Sequence, residues 1–160
     1  EMIGVMALWL GLMKIAEEAG MVKAMGNLMK PLLVKLFPEI PADHPAMGSI
    51  VANMAANFFG LGNAATPLGI KAMQELQLLN DNKDEASNSM VMFLAINTSS
   101  VTLISSSTIA YRVAAGSANA TEIIAPTIVA TIMSTAVAII SCKFLEKLPK
   151  YKREKIEIKK

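Results

Sequence analysis

The chain has 160 residues, 53% of them hydrophobic and 18% charged, with a mean hydropathy of +0.45 and a net charge of +2. An ordinary soluble domain is nearer a quarter charged, so this composition argues against one and suits a single domain that meets lipid. One cysteine and one histidine exclude an intrachain disulfide and a cysteine-based metal site, and deny zinc its usual ligands.

Met2–Met13 is uncharged and reads as the tail of a membrane span whose start precedes Glu1. No basic stretch leads into it, which argues against a signal peptide. From Lys14 the pattern turns amphipathic. Lys23, Asn27 and Lys30 fall on one helical face, and Met21, Met25, Leu28, Met29 and Leu32 on the other. This predicts a helix lying in the membrane interface or on partner helices, kinked or ended by Pro31. The Met21–Met25–Met29 stripe has two readings, thioether ligands for Cu(I) or adaptable packing. No second histidine or cysteine supports the first. Phe37–Pro45 holds three prolines and must turn, with Asp43 placed to cap the helix that follows.

Pro45–Ile70 is a 26-residue run without charge, longer than the roughly 20 residues that cross a bilayer. Its middle, "FFGLGNAATPLG", contains residues that end helices. Gly60-Leu-Gly62-Asn-Ala-Ala65 fits G-x-G-x-x-A with Asp81 downstream, a dinucleotide fingerprint. The segment before it lacks β-branched residues and no βαβ pattern surrounds it, so that reading fails. Helix termini explain it better: Gly60 and Gly62 end one helix, and Thr66 caps a second that starts at Pro67 and runs to about Leu79. Unpaired backbone at membrane depth is tolerated only against protein or a water-filled cavity. The N-terminus of the second helix would offer N–H groups and a positive dipole end to an anion or a polar oxygen. Asn53, Asn57 and Asn63 bring amides to the same place.

Ala86–Tyr111 is a second 26-residue uncharged run. It is interrupted by Asn97-Thr98-Ser99-Ser100 and again by Ser105-Ser106-Ser107-Thr108. Such hydroxyls either bond back to their own helix and help helices pack, or line a solute site. Paired interrupted helices are the strongest sequence pointer to a binding site near the membrane midplane. Ile123–Cys142 is the plainest spanning candidate, with Asn119 and Glu122 as a capping box for its start and Pro126 tolerated in its first turn. From Lys143 on there are eight Lys or Arg against three Glu. Beside a bilayer this predicts a cytoplasmic C-terminus. No aromatic interleaving supports nucleic-acid binding.

Catalysis has little to work with. The serines lack an activating base: His44 sits in a Pro-rich turn, and Lys71 is the nearest alternative. No catalytic residue, metal site or cofactor is expected. The fold expected is all-α, a polytopic membrane bundle with broken or re-entrant helices and one amphipathic interfacial helix. The candidate solute-binding residues are Asn53, Asn57, Asn63, Thr66, Asn97, Thr98, Ser99 and Ser100, with helix breaks at Gly60, Gly62 and Pro67.

"MALWLGLMKIAEEAG", "LFPEIPADHPAMGSIVANMAANFFGLGNAATPLGIKAMQEL", "FLAINTSSVTLI" and "AAGSANATEIIAPTIVATI" together resemble the spore maturation protein A family. That family belongs to the nucleoside-recognition, or Gate, group of bacterial membrane proteins. The resemblance implies a Gate-type membrane domain over 1–148, lacking its first hydrophobic segment, and a basic tail or linker over 149–160. It implies a multi-pass protein of the bacterial inner membrane. It also implies a partner related to spore maturation protein B, or a homo-oligomer, and a small polar solute as ligand. A non-transporting factor in spore or envelope assembly is the alternative. Relatives carry Pro-Thr-Thr where this chain has Ser105-Ser106-Ser107, so the second interruption is expected to be milder here.

Overall fold

The computed structural model describes residues 18–60 and 62–149, together with positions 11 and 15. Residues 1–10, most of the segment up to Glu17 and the tail from Lys150 lie outside it. With them go nearly all of the expected truncated span and most of the basic segment. The described residues form six helices and no strand: α1 Met21–Leu36, α2 Pro45–Phe58, α3 Gly62–Leu79, α4 Asn88–Ser99, α5 Ser106–Ala114 and α6 Ile124–Leu145.

α1 continues through Pro31 rather than ending there. Leu33 and Phe37, each 1% exposed, hold its last turn in the core. Its buried stripe is also rotated from the expected face: Leu28 and Leu32 are exposed, whereas Gly26 and Leu33 are buried and Met29 packs on the core. The cause is a notch. A Cβ on Gly26 would lie 2.7 Å from Val51 Cγ1, so α2 approaches along the Gly26 line and centres the contact there. Along the methionine stripe Met21 is exposed, Met25 is half-buried and Met29 packs on the core.

The turn after α1 plugs Phe37 and Ile40 into the core and is tied to the start of α4 by Ser89 Oγ donating to Glu39 Oε2 (2.8 Å). The N-cap of α2 is His44, not Asp43: its Nδ1 accepts from Ala46 N–H at 3.2 Å. Pro45 occupies the first helical position, where its missing N–H costs nothing, so the preceding residue is the one placed to cap.

At Gly60 the chain reverses. Gly60 has φ +70, a left-handed conformation that costs glycine little, and α3 folds back along α2. Ala56 packs with Ala65, Asn53 lies against Ala65 and Gly69, and Met47 and Ile50 share the core with Ala72 and Leu76. The pairing falls on one helix as it rises on the other, which defines an antiparallel hairpin. α3 begins at Gly62 and takes Thr66 and Pro67 into its body. The expected start at Pro67 is therefore displaced by a full turn. The left-handed turn at Gly60 already redirects the chain, and Pro67 deprives only the carbonyl of residue 63 of a helical donor.

α4 is capped by Ser87, whose Oγ accepts from Met90 N–H. Residues 100–105 leave helix completely before α5, so the lack of a proline there does not close the gap. The expected capping box before α6 is absent. Asn119 Oδ1 accepts from Thr121 Oγ1, Glu122 pairs with Arg112, and α6 begins without a side-chain cap, with Pro126 in its first turn. Arg112 also donates to Ser117 Oγ and the Asn119 carbonyl, so it organises the whole α5–α6 turn.

Of the described helices, α6 alone is long and apolar enough to cross a membrane, at 22 residues with a mean hydropathy of 2.0. α2, α4 and α5, at 14, 12 and 9 residues, fall short of the roughly 20 residues a crossing needs. Each 26-residue run is thus divided instead of forming one straight span.

Candidate functional site

The two interruptions meet. Leu103 N–H, in the gap between α4 and α5, donates to Phe58 O at the end of α2 (3.0 Å). Beside this contact three asparagines from two helices form a chain. Asn57 Nδ2 donates to Asn97 Oδ1 (2.7 Å) and to Asn53 Oδ1 (3.3 Å), and Asn53 Nδ2 donates to the carbonyl of Ala65 (2.7 Å). Asn53 is fully buried; Asn57 and Asn97 are half-buried. The i, i+4 spacing on α2 puts Asn53 and Asn57 on one face. The hairpin brings Ala65 opposite, and α4 supplies Asn97.

Two spaces border the Asn97 end of this chain. One is a cleft of about 580 Å³ that opens between α3 and α4, floored by Gly69 and edged by Thr66, Gln74, Gln77 and Asn97. Ile70, Met73, Phe93 and Leu94 form its apolar walls, and no charged residue lines it among the described residues. The other is a cavity of about 30 Å³ reached by Asn57, Asn97, Ser100 and Thr135. Asn97 borders both.

The remaining candidates divide. Thr66 is exposed at the rim of the cleft and Ser100 lines the small cavity. Thr98 is exposed, and its hydroxyl donates to Leu94 O (2.8 Å). Ser99 Oγ likewise donates to Ala95 O (2.8 Å). Both hydroxyls bond back to their own helix as α4 ends and do not reach the asparagine chain. Asn63 stands in the first turn of α3, with its side chain outside the described residues. Gly60 takes the left-handed turn, Gly62 begins α3 and Pro67 lies within it.

The Gate family, described as nucleoside recognition, matches residues 1–118. Spore maturation protein A of Bacillus subtilis (strain 168) is 51% identical over 154 residues, 96% of this chain and 76% of that protein. The chain belongs to the spore maturation protein A family. The resemblance read from its motifs is thereby borne out. The Gate match takes in α1 to α5, hence the hairpin, both interruptions and all three asparagines; it ends in the turn before α6. No solved structure matches this family member at a significant level.

Three contributors escaped the sequence reading. Gly69 admits the asparagines: a Cβ there would lie 3.0 Å from Asn53 Nδ2 and 3.7 Å from Asn97 Nδ2. Thr135 Oγ1 donates to Ser99 O (3.1 Å) and Thr131 Oγ1 accepts from Thr102 N–H (3.4 Å), so α6 satisfies one backbone group at the end of α4 and another within the second interruption. Two threonines four residues apart in an apolar run are a visible signal for such a role. Gly69 leaves none, because its reason is a helix distant in sequence.

Proposed function

We propose that this spore maturation protein A family member is a membrane-embedded module that binds a small polar solute between its two interrupted segments, without catalytic chemistry. The carrying observation is the meeting of those segments: the Leu103–Phe58 backbone bond joins them, and the asparagine chain between them ends at Asn97, which lines a cleft. Its volume is within the range of small-molecule sites. The apolar, largely exposed surface of α6 supports a bilayer setting. There the α2–α3 hairpin would enter and leave as a re-entrant pair, making the protein multi-pass, and the basic tail would sit on the cytoplasmic face of the inner membrane. The Gate description, nucleoside recognition, supports nucleosides as the first solutes to try. A second Gate-type chain, of the spore maturation protein B kind or another copy, would complete the assembly.

Purified protein reconstituted in vesicles, alone and with such a partner, is expected to bind or take up a nucleoside or another small polar solute. Asn57→Leu and Asn97→Leu should abolish that activity while leaving the protein folded. Activity unchanged in both variants refutes the site. The second reading, an assembly factor in which the asparagines only glue helices together, is favoured by their bonds to one another. It predicts partner capture without solute binding.

A further inference from the structure

The asparagine chain has a direction, fixed from one end. A backbone carbonyl can only accept. Ala65 O therefore draws Asn53 Nδ2 toward itself, which turns Asn53 Oδ1 to Asn57. Asn57 must answer with a donor, and its amino group does so, donating to Asn53 and Asn97 together. Turning Asn97 over would set two amino groups against each other at 2.7 Å. Asn97 Nδ2 thus faces away from Asn57 and toward Gly69 on the cleft floor. No acceptor among the described residues takes its N–H groups.

We propose that the α3–α4 cleft binds an uncharged solute through a hydrogen-bond acceptor on that solute, such as a carbonyl or hydroxyl oxygen or an unprotonated ring nitrogen, held by Asn97 Nδ2. The proposal rests on the reading of the chain as a solute-binding module and adds the polarity of recognition. An ion entering the cleft would shed water and find no counter-charge on its walls, a heavy desolvation penalty. A neutral acceptor finds the outward amino group of Asn97, the exposed amide of Gln74 and apolar walls for its remainder. A donor-only solute finds the wrong end of the chain.

The test uses the full chain in detergent micelles with its asparagine amides labelled for nuclear magnetic resonance. Three probes are titrated: N,N-dimethylacetamide, which is neutral and only accepts; guanidinium, which is charged and only donates; and acetate, an anion. The expected result is a saturable shift of the Asn97 side-chain N–H signals with dimethylacetamide, and none with guanidinium or acetate. Asn97→Asp keeps the acceptor for Asn57 and replaces the outward donor by an oxygen. It should weaken dimethylacetamide binding at least about tenfold, the loss of roughly one hydrogen bond, and admit guanidinium. Equal responses of the Asn97 signals to all three probes, or an Asn97→Asp protein that binds dimethylacetamide as before, overturn the polarity and leave the solute site standing. If no asparagine signal responds to any probe, both fall.

Discussion

Asn57 commits both of its N–H groups to other asparagines, so removing it strands two acceptors, whereas removing Asn97 breaks one bond. A partly buried acceptor left unpaired costs about 1–3 kcal/mol. Asn57→Leu is therefore expected to lower thermal stability in detergent more than Asn97→Leu; the reverse order would show that the chain of bonds is not cooperative. Gly69→Ala drives a methyl against Asn53 and should cost about 1–3 kcal/mol by overpacking, whereas Gly48→Ala, whose Cβ meets nothing, should be tolerated. At this scale the asparagines of α2 were legible as an i, i+4 pair, and Asn97 as the odd amide in an apolar run. Their mutual bonding was not, because hydrogen-bond partners 40 residues apart leave no local trace. Thr98 and Ser99 entered the candidate site by their place in the interruption, with bonding back to their own helix as the alternative. At the end of a helix, the nearest acceptor for such a hydroxyl is the helix's own carbonyl.

Helix ends are set by packing as much as by local preference. The sequence marked both interruptions, at Gly60–Gly62 and after Asn97, but a long uncharged run cannot say whether the chain continues or reverses. The reversal depends on the left-handed turn at Gly60 and on small residues, Ala56 and Ala65, that let α2 and α3 lie close. Thr66-Pro67 looked like a start because its local preferences are those of one; tertiary packing extended the helix past them. Along the second interruption, Thr135 donates to Ser99 O and Thr131 accepts from Thr102 N–H. Thr135→Val keeps the shape and removes the donor. It should cost about 1 kcal/mol and speed amide hydrogen exchange over residues 100–105, leaving exchange in the α2–α3 hairpin unchanged. Protection that stays the same along the gap would mean that α6 does not hold it.

For the molecule as a whole, composition pointed to a bilayer before any element could be drawn, and of the described helices α6 is long and apolar enough to cross one. Ile132, Met133, Val137, Ile140 and Phe144 all lie exposed along it. Met133→Lys, near its middle, should raise the cost of insertion by about 2.5–3.5 kcal/mol, read as a reduced inserted fraction in a glycosylation-reporter assay; full insertion would argue that α6 does not span. A rod that is apolar on every side has no reason of its own to prefer one rotation about its axis. Thr131 and Thr135 give it one. Turned by a third of a revolution, α6 would carry both hydroxyls away from the gap, while Ser99 O and Thr102 N–H lost their partners. The two threonines thus act as a detent, and the orientation of the long apolar helix is set at the same place where the rest of the chain is interrupted.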